Sequence, residues 1–171
     1  VDLNLLPIIP TKHSGGPRHW DCLIQRLGCW SGFLAMWSGI ATEEQAERMV
    51  KENLLDEKAF WAPFGVRSLS KYEKMYKIKE SGNPSCWLGP IWGIANYMVF
   101  KSLIKYGYIN EAKELGKKTI KLFSEDIADC GDLHEYYAPE TGEPVMNKGF
   151  QNWNLLAVNI SAWLNGDEVI E

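Results

Sequence analysis

Apolar positions repeat along this chain at helical spacing, and two kinds of helix follow one another. From Pro90 to Tyr106 nearly every residue is apolar. Pro90 suits the first turn of a helix, where its missing N–H costs nothing. At roughly 100° per residue from Trp92, Lys101 and Lys105 share one side. Asn96 falls nearly opposite, among Trp92, Val99, Phe100 and Leu103. A polar amide on such a face needs a partner. Asn96 there either satisfies a neighbouring backbone or faces a polar ligand at the centre of a helical ring. Gly107 ends this helix, and Asn110 can cap the next. In that next helix Ala112, Leu115, Gly116, Thr119, Ile120, Phe123 and Ile127 form one stripe, and lysines and glutamates cover the rest. An apolar helix followed closely by an amphipathic one predicts an inner and an outer layer.

The same spacing continues on both sides. Thr42-Glu43-Glu44-Gln45 is a capping box. Behind it Ala46, Met49, Val50 and Leu54 face one way, while Glu47, Lys51 and Glu52 face the other. Phe33 to Ile40 is apolar but ends in turn residues, as a buried irregular crossing would. Phe150 to Leu164 is expected to be a second inner helix, interrupted only by Gln151, Asn152, Asn154, Asn159 and Ser161. Residues 128 to 149 form a long loop of the kind that is usually functional. No strand-like alternation of useful length is found. The expected fold is all-α, built of αα-hairpins in a toroid or bundle, and only about half of a six-hairpin ring fits this length. Pro7, Pro10, Gly15-Gly16-Pro17 and Gly28 break any period in residues 1–32, so little regular structure is expected in that front segment. The helical domain is expected over 33–171.

Composition narrows the function classes. At 171 residues one domain is the default. A net charge of −4 without a basic stripe argues against nucleic-acid binding. Lys101 interrupts the best apolar run, so no membrane span is expected. The chain begins at Val1 with no cleavable signal and no initiator Met, and so reads as a fragment or a processed piece. Cys22, Cys29, Cys86 and Cys130 form no CxxC pair, and no histidine is read at ligand spacing beside them, so no metal site is expected. Reduced thiols in a cytoplasmic protein fit these positions; a Cys22–Cys29 disulfide stays open. No P-loop, dinucleotide glycine motif or Ser/His/Asp order occurs, and no cofactor is called for.

Tryptophan is the outlier, with eight Trp beside seven Tyr and six Phe. Most lie next to Gly, Pro or Asn, at helix ends and loops. Such side chains fill cores, but they also stack on sugar faces. Glu135, between His134 and Tyr136-Tyr137 in the long loop, is the strongest chemical candidate. Glycosidic cleavage needs two carboxylates; in the inverting case they stand about 6.5–9.5 Å apart to admit a water. Hydrogen bonds from the Tyr136 and Tyr137 hydroxyls would help keep a base ionised. Glu135 is otherwise a surface glutamate. For the second carboxylate, Asp129, Asp132, Glu140, Asp2 and Asp21 are available, none in a distinctive context. Arg67, beside Gly65 and two serines, either ties loops together or binds a hydroxyl-rich ligand.

Several pieces, in order, resemble the catalytic domain of glycoside hydrolase family 63. These are Phe33-Leu34 with Trp37 to Thr42 and Glu44-Gln45-Ala46; Gly65 to Ser70; Asn83-Pro84-Ser85 and Trp87 to Trp92 with Asn96-Tyr97; Glu135-Tyr136-Tyr137 with Thr141-Gly142; and Gly149-Phe150 with Trp153. The resemblance implies an (α/α)6 toroid and an inverting, exo-acting α-glycosidase whose general base is Glu135. Trp87, Gly89, Trp92, Tyr136, Phe150 and Trp153 would shape the sugar pocket around an oligosaccharide or small glycoside. The family's general acid, an Asp in an earlier Gly/Asp/Asn-rich segment, has no counterpart here. Val1 to Asn4 looks like the piece that follows it, and residues 5–31 do not match. The chain thus looks like the C-terminal half of a toroid. A half-ring exposes inner-helix surface that a missing N-terminal half, a second copy or another partner would cover. The alternative is a carbohydrate-binding module that keeps the aromatic cleft and lacks the acid. Beside Glu135 and Trp153, Asn96 reads as a brace for the pocket wall.

Overall fold

The computed structural model describes residues 26–79 and 85–167, and the backbone at 4–5, 11–13, 16–18 and 23–24. Strand β1 (Asn4–Leu5) pairs antiparallel with β4 (Leu23–Ile24), and β2 (Thr11–His13) pairs with β3 (Gly16–Arg18). The front therefore carries two small ladders where little regular structure is expected. Cys29 is a free thiol, bonded to the Ser31 hydroxyl. Its candidate partner Cys22 lies outside the described residues, as do Asp2 and Asp21.

Helix α1 (Leu34–Ser38) follows a 3-10 turn at Trp30–Phe33 and stops at Gly39, whose φ of 79 suits glycine. Helix α2 (Glu43–Arg48) starts on the expected capping box. The Thr42 hydroxyl accepts from the Gln45 N–H at 3.2 Å, and the Thr42 N–H donates to the Gln45 side chain at 2.9 Å. The helix runs on as a π-helical turn, Met49–Leu54, and Ala46, Val50 and Leu54 are fully buried. A tight hairpin follows, pairing β5 (Trp61–Ala62) with β6 (Gly65–Val66).

The inner and outer helices are α3 (Gly93–Lys105) and α4 (Ile109–Cys130). Helix α3 packs against α1, α4 and α5 (Ala157–Asn165). Val99, Phe100 and Leu103 of α3 meet Ala112 and Leu115 of α4, Ile160 of α5, and Phe33 and Met36. Burying a side chain such as Phe100 contributes about 2–3 kcal/mol of transfer free energy. This hairpin and its layering are what the periodicity predicts.

The ends of the elements differ from expectation, for tertiary reasons. Pro90 does not open α3. Ile91 and Trp92 instead form β7, paired with Tyr137 and Tyr136 of β8, and Trp92 caps α3. Asn110 lies inside the first turn of α4, with Tyr108 at the cap. Phe150 lies outside α5, which is entered through a 3-10 turn at Trp153–Leu156. The long loop contains β8 (Tyr136–Tyr137) and β9 (Pro144–Met146), so β7, β8 and β9 form an antiparallel sheet in that order. The all-α expectation is corrected accordingly: the fold is mainly helical with short ladders. Strands of two or three residues make too few alternations for a pattern to show.

Candidate active site

The sheet sets the position of Glu135. This residue immediately precedes β8, and its N–H donates to the Met146 carbonyl of β9 at 2.9 Å. Glu135 is only 6% exposed. Its Oε1 accepts from the Ser85 hydroxyl at 3.2 Å, and its Oε2 accepts from the Asn147 side-chain amide. Both donors are neutral, so they orient the carboxylate without a counter-charge. Asn147 reaches it from a φ of 47, the one non-glycine positive φ among the described residues. Such a conformation costs about 1 kcal/mol or more and persists where surrounding contacts enforce it.

Aromatic rings form a wall beside this carboxylate. Trp87 lies on Trp92 with centroids 3.8 Å apart and planes 7° from parallel. Trp30 stacks on Trp87 at 5.9 Å, and Tyr136 stacks on Trp92 at 4.9 Å. Trp153 joins Trp92 at 6.0 Å, and Phe150 meets Trp153 at 5.0 Å. The structure thus brings Trp87, Trp92, Tyr136, Phe150 and Trp153 into one neighbourhood. They do not present themselves equally. Trp92 and Tyr136 are fully buried, while Trp30, Trp87, Phe150 and Trp153 are partly exposed. Trp92 is covered on both faces, and its indole N–H donates to the Cys86 carbonyl at 2.9 Å. It supports the wall instead of presenting a face to a ligand. Trp30 is the ring that sequence reasoning misses; its signal, a tryptophan between Cys29 and Ser31-Gly32, is lost in the irregular front.

Three further expected contacts have structural roles. A Cβ on Gly89, at φ 153, would come within 2.8 Å of both the Tyr76 ring and the Lys77 carbonyl. Gly89 therefore lets two backbones approach and is itself buried. Arg67 is 2% exposed; its guanidinium donates to the Glu57 and Ala59 carbonyls and to Glu140 at 3.0 Å. That is the loop-tying role, and none of these partners bonds to Glu135. Tyr137 is fully buried among Ile91, Leu122, Phe123 and Leu133. Its hydroxyl donates to Asp126 at 2.8 Å, so it does not support Glu135 as expected.

Asp126 is the residue that the sequence pattern conceals. On paper the apolar stripe of α4 continues through Ile127, but Ile127 is 51% exposed and Asp126 only 5%. The Asp126 carboxylate accepts from the Tyr137 hydroxyl, from the His134 N–H at 2.9 Å and from the His134 ring at 2.9 Å. It thereby clasps the residues on either side of Glu135-Tyr136. Burial, and next the bond to Asp126, push the Tyr137 phenol well above its usual range. Cys130, one turn on from Asp126, also joins this group, so a histidine meets a cysteine in space although no ligand spacing is read between them in the sequence.

Asn96 resolves in favour of bracing. Its Oδ1 accepts from the Val66 N–H at 2.8 Å, and its Nδ2 donates to Thr119 at 3.0 Å. Asn154 does similar work at the other side, donating to the His134 and Phe150 carbonyls at 2.8 and 3.1 Å. Of the other acids, Asp132 accepts from the Leu133 N–H and from Gln151, which hold its carboxyl below the usual range. Such a group suits an anion and not a proton donor. Glu140 is paired with Arg67 and Lys71, and Asp129 is exposed on α4.

The chain is similar to several known proteins. The profile of the mannosylglycerate hydrolase MGH1-like glycoside hydrolase domain matches residues 26–154. A probable mannosyl-oligosaccharide glucosidase of Schizosaccharomyces pombe is 33% identical over 116 residues, which is 61% of this chain and 14% of that protein. Mannosylglycerate hydrolase MGH1 of Selaginella moellendorffii is 29% identical over 136 residues, 78% of this chain and 24% of that protein. The crystal structure of the GH63 mannosylglycerate hydrolase from Thermus thermophilus in complex with glucose superposes with a TM-score of 0.65 at 26% identity. That match covers 82% of this chain and 33% of the crystallised one. The chain therefore spans a third or less of the length of each of these relatives.

Proposed function

The chain belongs to the mannosylglycerate hydrolase MGH1-like glycoside hydrolase family, within GH63, and from that premise we propose that it is the base-bearing part of an inverting α-glycosidase. The observation that carries this is Glu135: a buried carboxylate, oriented by two neutral donors and flanked by an aromatic wall. In the proposed reaction Glu135 takes a proton from a water, which attacks the anomeric carbon from the face opposite the leaving group. A carboxylic acid about 6.5–9.5 Å away protonates the departing oxygen. That acid is proposed to come from the portion of the relatives' catalytic domain that the match does not span. Trp87, Trp153 and Phe150, with Trp30, supply partly exposed rings for the sugar. Trp92, Tyr136 and Gly89 hold those rings in place.

The substrate class is proposed to be α-glucosides or related α-glycosides, in line with the activities named for the three relatives above. The surrounding ring is proposed to be an (α/α)6 toroid. Leu155 and Val158, 56% and 66% exposed near the start of α5, then meet the remaining helices. A second reading is a carbohydrate-binding module. It is favoured by the lack, among the described residues, of a carboxylate set up as a proton donor.

Hydrolysis of α-glucosides and mannosylglycerate, with the product anomer followed by NMR, separates these. Glu135→Gln is expected to abolish turnover while calorimetric sugar binding survives. Unchanged turnover in that variant would remove Glu135 from the mechanism. Sugar binding without hydrolysis when the chain is joined to the remaining portion of such a catalytic domain would support the binding module.

A further inference from the structure

Three cation-binding side chains meet next to Glu135 and have no part in the proposed hydrolysis. Asp126 and Cys130 are one turn apart on the last two turns of α4, so they share a face. Gly131, at φ 76, ends the helix and lets the chain fold back until His134 faces the same turn. The carboxylate, thiol and imidazole donor atoms all lie within 4.8 Å of one another. Asp126 is held by bonds from the Tyr137 hydroxyl and the His134 N–H, the kind of outer support that orients a ligating carboxylate. A hydrogen-bonded Asp–His pair alone would not need the thiol.

We propose that Asp126, Cys130 and His134 form a binding site for one divalent transition ion of the zinc type, with a fourth position left to water. Thiolate, imidazole and carboxylate together suit zinc or cobalt, whereas calcium and magnesium favour oxygen donors. Tetrahedral coordination at about 2.0–2.3 Å places ligand atoms about 3.3–3.8 Å apart. The present cluster brackets that spacing, from 2.9 Å between His134 Nδ1 and Asp126 to within 4.8 Å overall. An ion would open the His134–Asp126 contact by roughly half an ångström and draw the thiol in, both within reach of side-chain rotation. Binding displaces the thiol proton and any proton on the ligating imidazole nitrogen to solvent. The bound ion ties the end of α4 to the residue preceding Glu135, so it acts as an anchor for the base's strand.

The test is titration of the chelator-treated protein with Co2+, read by the thiolate-to-cobalt absorption band, followed by displacement with Zn2+. One ion per chain and a saturable thiolate band are expected. Cys130→Ser should lose the band, and His134→Gln should weaken binding by about tenfold or more. Cys29→Ser and Cys86→Ser should retain it. Should Cys130→Ser fail to fold, NMR of the unaltered protein with Zn2+ must show shifts centred on the His134 ring. A band that persists in folded Cys130→Ser, shifts centred elsewhere, or no saturable binding by the folded wild type overturns the site and leaves a hydrogen-bonded clasp. No substrate enters these measurements, so they stand apart from the hydrolase reading.

Discussion

At the middle of the α3–α4 hairpin, Asn96 is buried against Val66 and Thr119; at its far end, Asp126 is buried against His134 and Tyr137. Both clusters place polar atoms inside an apolar layer, and each satisfies backbone outside its own helix. The Asn96 cluster is neutral. One amide joins one N–H and one hydroxyl, and it fits so closely that a Cβ on Gly65 would collide with it. The Asp126 cluster is ionisable. One carboxylate gathers several donors, with a thiol beside it, and all of them sit around the segment that carries Glu135. A buried polar group is therefore not by itself the mark of a site. The separating features are ionisable chemistry and covalent proximity to Glu135, the proposed base.

Perturbing each cluster sharpens that contrast. The largest effect is expected from Gly65→Ala, which meets the Asn96 amide and demands a φ of 147 from alanine. A loss of about 3 kcal/mol or more is expected in urea unfolding. Asp126→Ala should follow closely, at about 3 kcal/mol, because it strands buried donors on Tyr137 and His134. A loss below about 1 kcal/mol there would show that water readily replaces the carboxylate. Asn96→Ala should cost about 2 kcal/mol, and hydrogen exchange at the Val66 amide should quicken.

The smallest effect separates the clusters by pH. Tyr137 is held neutral in the folded protein, mainly by burial, so its phenol titrates above the unfolded value. Any stability linked to it is intact below pH about 10 and falls as pH rises past that value. The decline approaches about 1.4 kcal/mol per pH unit for this one group. Tyr137→Phe should flatten the alkaline limb of the stability curve, and Asn96→Ala should leave its slope unchanged. Equal slopes in wild type and Tyr137→Phe would contradict the assignment.

Long elements are legible in the sequence because their burial is periodic. The α3–α4 hairpin and the Thr42 capping box stand where spacing and cap chemistry put them. Glu135 can be picked out by residue type and neighbours, whereas Trp87 and Trp153 are pointed to by the family resemblance. The sheet cannot, since each of its strands is two or three residues long, and Pro90 lends Ile91-Trp92 the look of a helix start. Asp126 is hidden by Ile127, which continues the apolar stripe on paper. The turn of α4 before Gly131 instead rotates the acid inward, and only the returning chain at His134 and Tyr137 explains why.

The Trp87–Trp92 contact has an optical consequence. Two indoles 3.8 Å apart and 7° from parallel lie close enough for their transition dipoles to couple. Such a pair should give a paired positive and negative feature in near-ultraviolet circular dichroism. Trp92 belongs at once to the sheet that positions Glu135 and to the cap of α3, so this doublet would follow the integrity of the aromatic wall in solution, with no ligand added.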